Sequence, residues 1–208
     1  MARYTGPVCR LCRRERMKLY LKGAKCDSMK CPIERRPYPP GDHGRARQRQ
    51  GSEYLMQLRE KQKCRRIYGL MEKQFRNLYV EASRQSGVTG ENLLRMLEQR
   101  LDNVVFRAGW GASRAQSRQL VRHGHVKVNG RRVTIPSYKA RKGDVVELGD
   151  KARSFIVVRH NLDTLDRQSP PWLESGDSGF QTTVRDMPLR EHIDVPVREQ
   201  LIVELYSK

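Results

Sequence analysis

The run His123-Gly124-His125-Val126-Lys127-Val128-Asn129-Gly130-Arg131-Arg132-Val133 decides how this 208-residue chain is read. From His125 to Asn129 polar and apolar residues alternate, which is the period of a half-buried strand. Asn129-Gly130 supplies the two residues that a tight hairpin turn accepts at positive φ, and Arg131-Arg132-Val133-Thr134 returns. The pattern predicts a small antiparallel hairpin carrying Lys127, Arg131 and Arg132.

Immediately upstream, Ser113 is a fair N-cap for a helix from Arg114 to about Arg122, with Ala115, Leu120 and Val121 as its apolar positions. Arg114, Arg118 and Arg122 recur at i, i+4 and i+8 and so read as one basic ridge, beside Gln116 and Gln119. Ser113, His123 and Asn129 complete this candidate RNA-binding surface with the ridge and the hairpin cations. Its chemistry is that of guanidinium forks and ammonium point charges on phosphates. A solvated helix face is the competing reading, and His123 and His125 read as turn residues rather than catalysts.

Further outward the pattern is helical. Ser52 caps a helix to about Tyr68, residues 72–86 form a second, and Thr89 caps a third to about Ala108. The third has the strongest apolar face: Leu93, Leu94, Leu97, Leu101, Val104 and Val105. Downstream, strands are expected at Val145–Leu148 and Phe155–Val158. Beyond Ser169-Pro170-Pro171-Trp172-Leu173 lies a glycine-rich loop, and Val197–Leu205 could be helix or strand, with helix favoured because Glu, Gln and Leu dominate and Pro196 stands at its start.

The N-terminal fifty residues lack periodicity but contain Cys9, Cys12, Cys26 and Cys31, spaced C-x2-C and C-x4-C. Two close thiol pairs can surround one metal ion, and zinc is the default for four sulfurs. Buried unmetallated thiols, an iron–sulfur cluster, and His43 in place of one cysteine are the alternatives. The stretch Arg35-Arg36-Pro37-Tyr38-Pro39-Pro40-Gly41 is predicted to be extended, because its prolines exclude a helix. Candidate RNA contacts on this side are Arg3, Tyr4, Arg10, Arg13, Arg14, Lys22, Arg35, Arg36, Tyr38, Arg45 and Arg47. The basic helix adds Arg59, Lys61, Lys63, Arg65 and Arg66.

Net charge is +19, with 37% hydrophobic and 31% charged residues, which points to a polyanionic partner and argues against full disorder. The excess is uneven. Residues 1–66 hold 19 Lys/Arg against 6 Asp/Glu, residues 67–104 are neutral, residues 105–160 hold 13 against 3, and residues 161–208 hold 5 against 9. Two basic blocks thus flank a neutral segment and precede an acidic one, the pattern of two nucleic-acid contact surfaces. No run approaches the ~20 apolar residues of a membrane span, and no signal peptide is visible, so a cytoplasmic location with no membrane partner is expected. Reduced thiols there favour metal over disulfides. Gly176-Asp177-Ser178-Gly179 resembles a serine-protease nucleophile loop, but the chain is too short and basic for that fold.

Residues 98–148 resemble the small RNA-binding module shared by small ribosomal subunit protein four, some pseudouridine synthases and bacterial tyrosyl-tRNA synthetases. The Met1-Ala2-Arg3-Tyr4-Thr5-Gly6-Pro7 start, the cysteine set, Arg35 to Gly44, Arg100-Leu101-Asp102-Asn103-Val104-Val105 and the terminal Glu204-Leu205-Tyr206-Ser207-Lys208 look like the bacterial small ribosomal subunit protein four family in its zinc-carrying, four-cysteine form. Only about 161–190 match loosely. The resemblance implies an α+β fold. A helical domain (51–90 with 161–208) would hold the inserted module (91–160), two helices plus a short-stranded antiparallel sheet, and residues 1–50 would form an extension stapled by one structural zinc. It implies a non-enzymatic protein of the small ribosomal subunit. Such a protein binds small-subunit ribosomal RNA at a multi-helix junction, nucleates assembly of the 5′ domain and contributes to translational accuracy. Its neighbours would be small-subunit protein five and messenger RNA near its entrance channel. The alternatives are an RNA-modifying enzyme with the same module, which would need a catalytic domain that the remaining residues are too few to form, and a zinc-dependent DNA-binding regulator.

Overall fold

The computed structural model describes residues 3–46, 51–165 and 168–207; Arg47 of the candidate surface lies outside them. In chain order the elements are α1 (Cys9–Glu15), α2 (Pro32–Arg35), α3 (Glu53–Ile67), α4 (Glu72–Ser83), α5 (Thr89–Glu98), α6 (Leu101–Arg107), α7 (Arg114–Arg122), β1 (Val126–Val128), β2 (Arg131–Arg132), β3 (Val145–Leu148), α8 (Asp150–Arg153), α9 (Ile156–Thr164), β4 (Leu173–Ser175), β5 (Gln181–Val184) and α10 (Glu199–Ser207). Contacts divide the chain into two units, Met1–Leu93 with Val195–Lys208, and Leu94–Asp194.

In the first unit α3 packs against α10. Ser52 caps α3 as the sequence predicts, its Oγ accepting from the Leu55 N–H at 3.3 Å. Gln57 is fully buried and donates to Glu204 of α10 at 3.0 Å and to Glu53 at 3.1 Å. Tyr206 stacks on Tyr79 with centroids 4.4 Å apart, and its hydroxyl donates to Glu72 Oε1 at 3.1 Å. Burial and the Glu72 carboxylate push that phenol above its ordinary range.

In the second unit a five-stranded antiparallel sheet runs in the order β2-β1-β3-β5-β4. Val126 pairs with Leu148, Lys127 with Arg132, and Val145 with Thr183. Val126, Val128, Val146, Leu148, Leu173 and Val184 share one core with Leu101, Val104 and Val105 of α6, Val121 of α7, Trp110 and Trp172. Each such apolar side chain stabilises the unit by about 1.5–3 kcal/mol on burial.

Four local expectations are corrected. The helix predicted over 89–108 is two helices, because Arg100 turns extended and bridges Lys139. There the Leu101 N–H donates to the Tyr138 carbonyl at 2.9 Å, and the Ala140 N–H to the Gln99 carbonyl at 2.9 Å, replacing helical bonds. Phe155–Val158 is not a strand: both sides of β3 are already taken by β1 and β5, and the segment coils into α9. The glycine-rich stretch, given no strand by the sequence, supplies β4 and β5, so residues 161–194, grouped by sequence with the helical domain, fall in the second unit. The last helix begins at Glu199, three residues beyond Pro196.

Candidate nucleic-acid interface

The hairpin turn is built by Asn129 at φ 50° and Gly130 at φ 75°. The Asn129 amide is committed at both ends, donating to Asp144 Oδ1 at 2.9 Å and accepting from the Val145 N–H at 2.9 Å. It therefore locks the turn to the start of β3 rather than standing ready for RNA. Arg131 and Arg132 are exposed on β2. Lys127 lies 3.7 Å from the exposed Asp150.

The ridge on α7 is split. Ser113 caps the helix through the Gln116 N–H at 3.3 Å, and Gln116 Oε1 accepts from the Ala112 N–H at 2.7 Å. Arg118 is buried and its Nη1 lies 3.3 Å from Asp102, whose carboxylate also takes a two-pronged contact from Arg100. Arg114 donates to Asn103 Oδ1 at 2.8 Å and lies 4.3 Å over the Phe106 ring. The reason is rotation: residues four apart advance about 40° each on a helix of 3.6 residues per turn. The face of Ser117, Arg118 and Val121 turns to α6, and Gln119, Arg122 and His123 remain exposed.

A second buried cluster had no signal in the sequence. Glu98 is fully buried and receives Arg107 through two bonds of 2.9 and 3.0 Å, with Asn103 donating at 2.7 Å. Asp194 closes the cluster at 2.6 Å from Arg107. Burial alone would lower the Arg107 guanidinium, but Glu98 and Asp194 hold it above its ordinary range.

In the first unit Arg3, Tyr4, Arg10, Arg14, Lys22, Arg35, Arg36 and Arg45 are exposed. Tyr38 is flanked by Arg13 and Arg45, 5.0 and 4.8 Å from its ring centroid. Arg13 Nε also donates to the Tyr38 carbonyl at 3.0 Å, and Arg45 to the Tyr38 hydroxyl at 3.1 Å, which holds the phenol below its usual range. Two guanidinium groups thus already contact the ring, which disfavours base stacking on it. The basic end of α3 is also committed. Arg59 and Arg66 hold the buried Glu15 of α1, Lys61 reaches Glu72 at 2.6 Å, Lys63 reaches Glu60 at 2.6 Å, and Arg65 binds Gln62 at 3.0 Å.

Cys9, Cys12, Cys26 and Cys31 line one pocket, together with Val8, Leu21 and Ile33. All are free thiols. The Lys22 N–H points at Cys26 Sγ from 3.4 Å, as backbone donors do around thiolates. Burial, first, and the neighbouring cysteines push the Cys12 and Cys26 thiols up. Among the described residues no group of three or more Cys, His, Asp or Glu side chains is drawn close enough to hold an ion as it stands. Lining a void is a looser condition than ligation, which at a Zn–S distance of about 2.3 Å brings sulfurs within ~4 Å of each other. The donor set fits zinc in number and kind.

Two family profiles match: "Ribosomal protein S4/S9 N-terminal domain" over residues 3–98 and "S4 domain" over residues 99–146. Small ribosomal subunit protein uS4 of Acidothermus cellulolyticus is 62% identical over 211 residues, covering 100% of both chains. The chain belongs to the uS4 family. Proteins of the same name from a Thermoanaerobacter species and from Thermus thermophilus are 57% and 56% identical, again over 100% of each chain. The S4 domain match ends within β3, whereas the sheet of this uS4-family chain continues into β5 and β4. No helix among the described residues is long and apolar enough to cross a membrane.

Proposed function

We propose that the chain is a structural, RNA-binding constituent of the small ribosomal subunit in the cytoplasm, and not an enzyme. The observation that carries this reading is full-length identity of 62% to a small ribosomal subunit protein uS4. The exposed Arg122, Arg131 and Arg132 on the S4 module support it as a phosphate-facing surface. The exposed arginines of residues 3–45 form a second such surface. The RNA site residues that remain from the sequence reading are thus those whose cations face solvent. Gln119 and His123 join them, while Arg118, Lys61 and Asn129 serve the fold.

The finer reading is that this protein binds small-subunit ribosomal RNA at a multi-helix junction, nucleates the 5′ domain, and contributes to accuracy beside protein five and the messenger-RNA entrance. Chemical footprinting of small-subunit ribosomal RNA with the purified chain tests it. Protection clustered at one junction of the 5′ domain is expected; preference for duplex DNA in competition would overturn it. Cys9, Cys12, Cys26 and Cys31 would hold one zinc, which supplies a structural cross-link when bound. Support comes from their shared pocket and the backbone donor at Cys26. Metal analysis should return about one zinc per chain, and a metal-free chain with residues 3–45 ordered would sink the assignment.

A further inference from the structure

Where α7 ends and α8 gives way to α9, the second unit sets Gly124, His125, Phe155 and Ile156, which the phosphate-facing reading leaves unused, beside Arg132 and His123, which it uses. Arg132 lies directly against Gly124: a Cβ there would stand 2.0 Å from its Nε and 2.4 Å from its Cζ. Its Nη2 donates to the His123 carbonyl at 3.3 Å. Gly124 also has φ +73°, so the position both frees the backbone and seats the guanidinium. The His123 and His125 rings are 6.1 Å apart, and His125 meets Phe155 edge-on at 4.9 Å. Beyond Phe155, Ile156 is 84% and Val157 54% exposed.

The charge on the elements around this spot is predominantly positive. Arg122 and His123 come from the end of α7, Arg131 and Arg132 from β2, Lys151 from α8, and Arg159 and His160 from α9. Of the acids on the flanking elements, Asp150 lies 3.7 Å from Lys127 and 3.9 Å from Arg153, and Glu147 lies 3.6 Å from Arg153, while Asp163 stands toward the far end of α9. Burial, followed by His123, Arg132 and Lys151, holds the His125 imidazole below its ordinary range, in keeping with uncompensated positive charge. Solvated cations alone suit any phosphate backbone. An apolar step beside them suits a nucleotide whose base is out of the stack, since duplex bases offer no free face.

We infer that Gly124, Arg132, His123, His125, Phe155 and Ile156 form a subsite for one unpaired nucleotide of the RNA. Arg132, seated on Gly124, holds its phosphate, and the Phe155–Ile156 step covers its base. The inference rests on the RNA-binding function proposed above.

The test uses the full chain and small-subunit ribosomal RNA, with affinity measured across salt concentrations and unpaired nucleotides probed chemically. Arg132→Gln and Gly124→Ala are each expected to lower the log–log salt slope by about one unit, the signature of one lost phosphate contact. Ile156→Ser with Phe155→Ser is expected to weaken binding about ten-fold at unchanged slope, through lost stacking, and to unmask one unpaired nucleotide that the parent chain protects. Thermal melting checks each fold. If Gly124→Ala melts early, Arg132→Gln, altering an exposed side chain, decides the phosphate arm. Unchanged slope and footprint in these variants, with the parent chain still binding, overturn the subsite. Unchanged RNA binding together with loss of incorporation into subunits assigns the apolar step to a protein neighbour and also overturns it. Absence of ribosomal RNA binding by the parent chain would instead remove the function on which the subsite rests.

Discussion

At the scale of single residues, burial separates cations that look alike in sequence. Arg118 and Arg122 are one helical turn apart, yet Arg118 is buried on Asp102 while Arg122 is exposed. Arg118→Ala removes a charge-assisted bond and is expected to destabilise the second unit by about 1.5–3 kcal/mol, read from urea unfolding. Arg122→Ala should leave that midpoint in place and reduce the salt slope of RNA binding by about one unit. The reverse pattern would mean that the burial assigned to Arg118 is wrong. Glu98→Ala takes from the Arg107 guanidinium its buried partner, leaving it Asp194 at the surface, and should cost up to about 3–5 kcal/mol, as breaking buried pairs does.

At the scale of elements, charge does the docking in the first unit. Glu15 of α1, its side chain only 4% exposed, sits under Arg59 and Arg66 of α3. Burial pushes its carboxyl up, against the pull of the two arginines. Because both arginines keep partial contact with water, Glu15→Ala should cost less than a fully buried pair, about 1–3 kcal/mol. Hydrogen exchange should show it as faster amide exchange in residues 9–15, with α4 unaffected. The basic end of α3, legible in sequence as a cationic patch, is in this light a set of clamps on α1, α4 and its own turn. Sequence shows where charge lies along a helix; which face turns inward is set by what packs there.

At the scale of the whole molecule, the C-terminal stretch commits acids and Tyr206 to partners within the two units. Glu204 serves Gln57 and Tyr206 serves Glu72 in the first unit, while Asp194 serves Arg107 and Asp186 serves Lys142 in the second. Asp186 and Asp194 lie below the ordinary carboxylate range: the Met187 N–H and Lys142 lower the first, and Arg107 overcomes burial at the second. A carboxyl with a depressed folded pKa leaves the unfolded chain binding more protons. Its stabilisation is therefore present above the ordinary value of about 4 and fades as pH falls through the depressed one. The urea midpoint of the second unit should drop below about pH 4, and Asp194→Asn should flatten that drop. Chelation of metal should loosen residues 9–35 by hydrogen exchange while the transition of the second unit stays in place; a shift of both would show that the cysteine pocket supports more than its own segment.

Much of this protein was set by sequence alone because its signals are local. Ser52 and Ser113 cap helices through their own following amides, Asn129-Gly130 can adopt the positive φ that a hairpin needs, and the excess of Lys and Arg requires an anionic partner whatever the fold. The tertiary structure alone decided which cations face that partner, that the long helix would break at Arg100 against residues 136–140, and that Phe155 would open a helix instead of a strand. It also brought a glycine-rich stretch into the sheet as β4 and β5. These outcomes depend on pairing between residues far apart in the chain: a backbone amide, a buried carboxylate or a sheet edge is satisfied by whichever distant group reaches it, and no window of neighbouring residues encodes that choice.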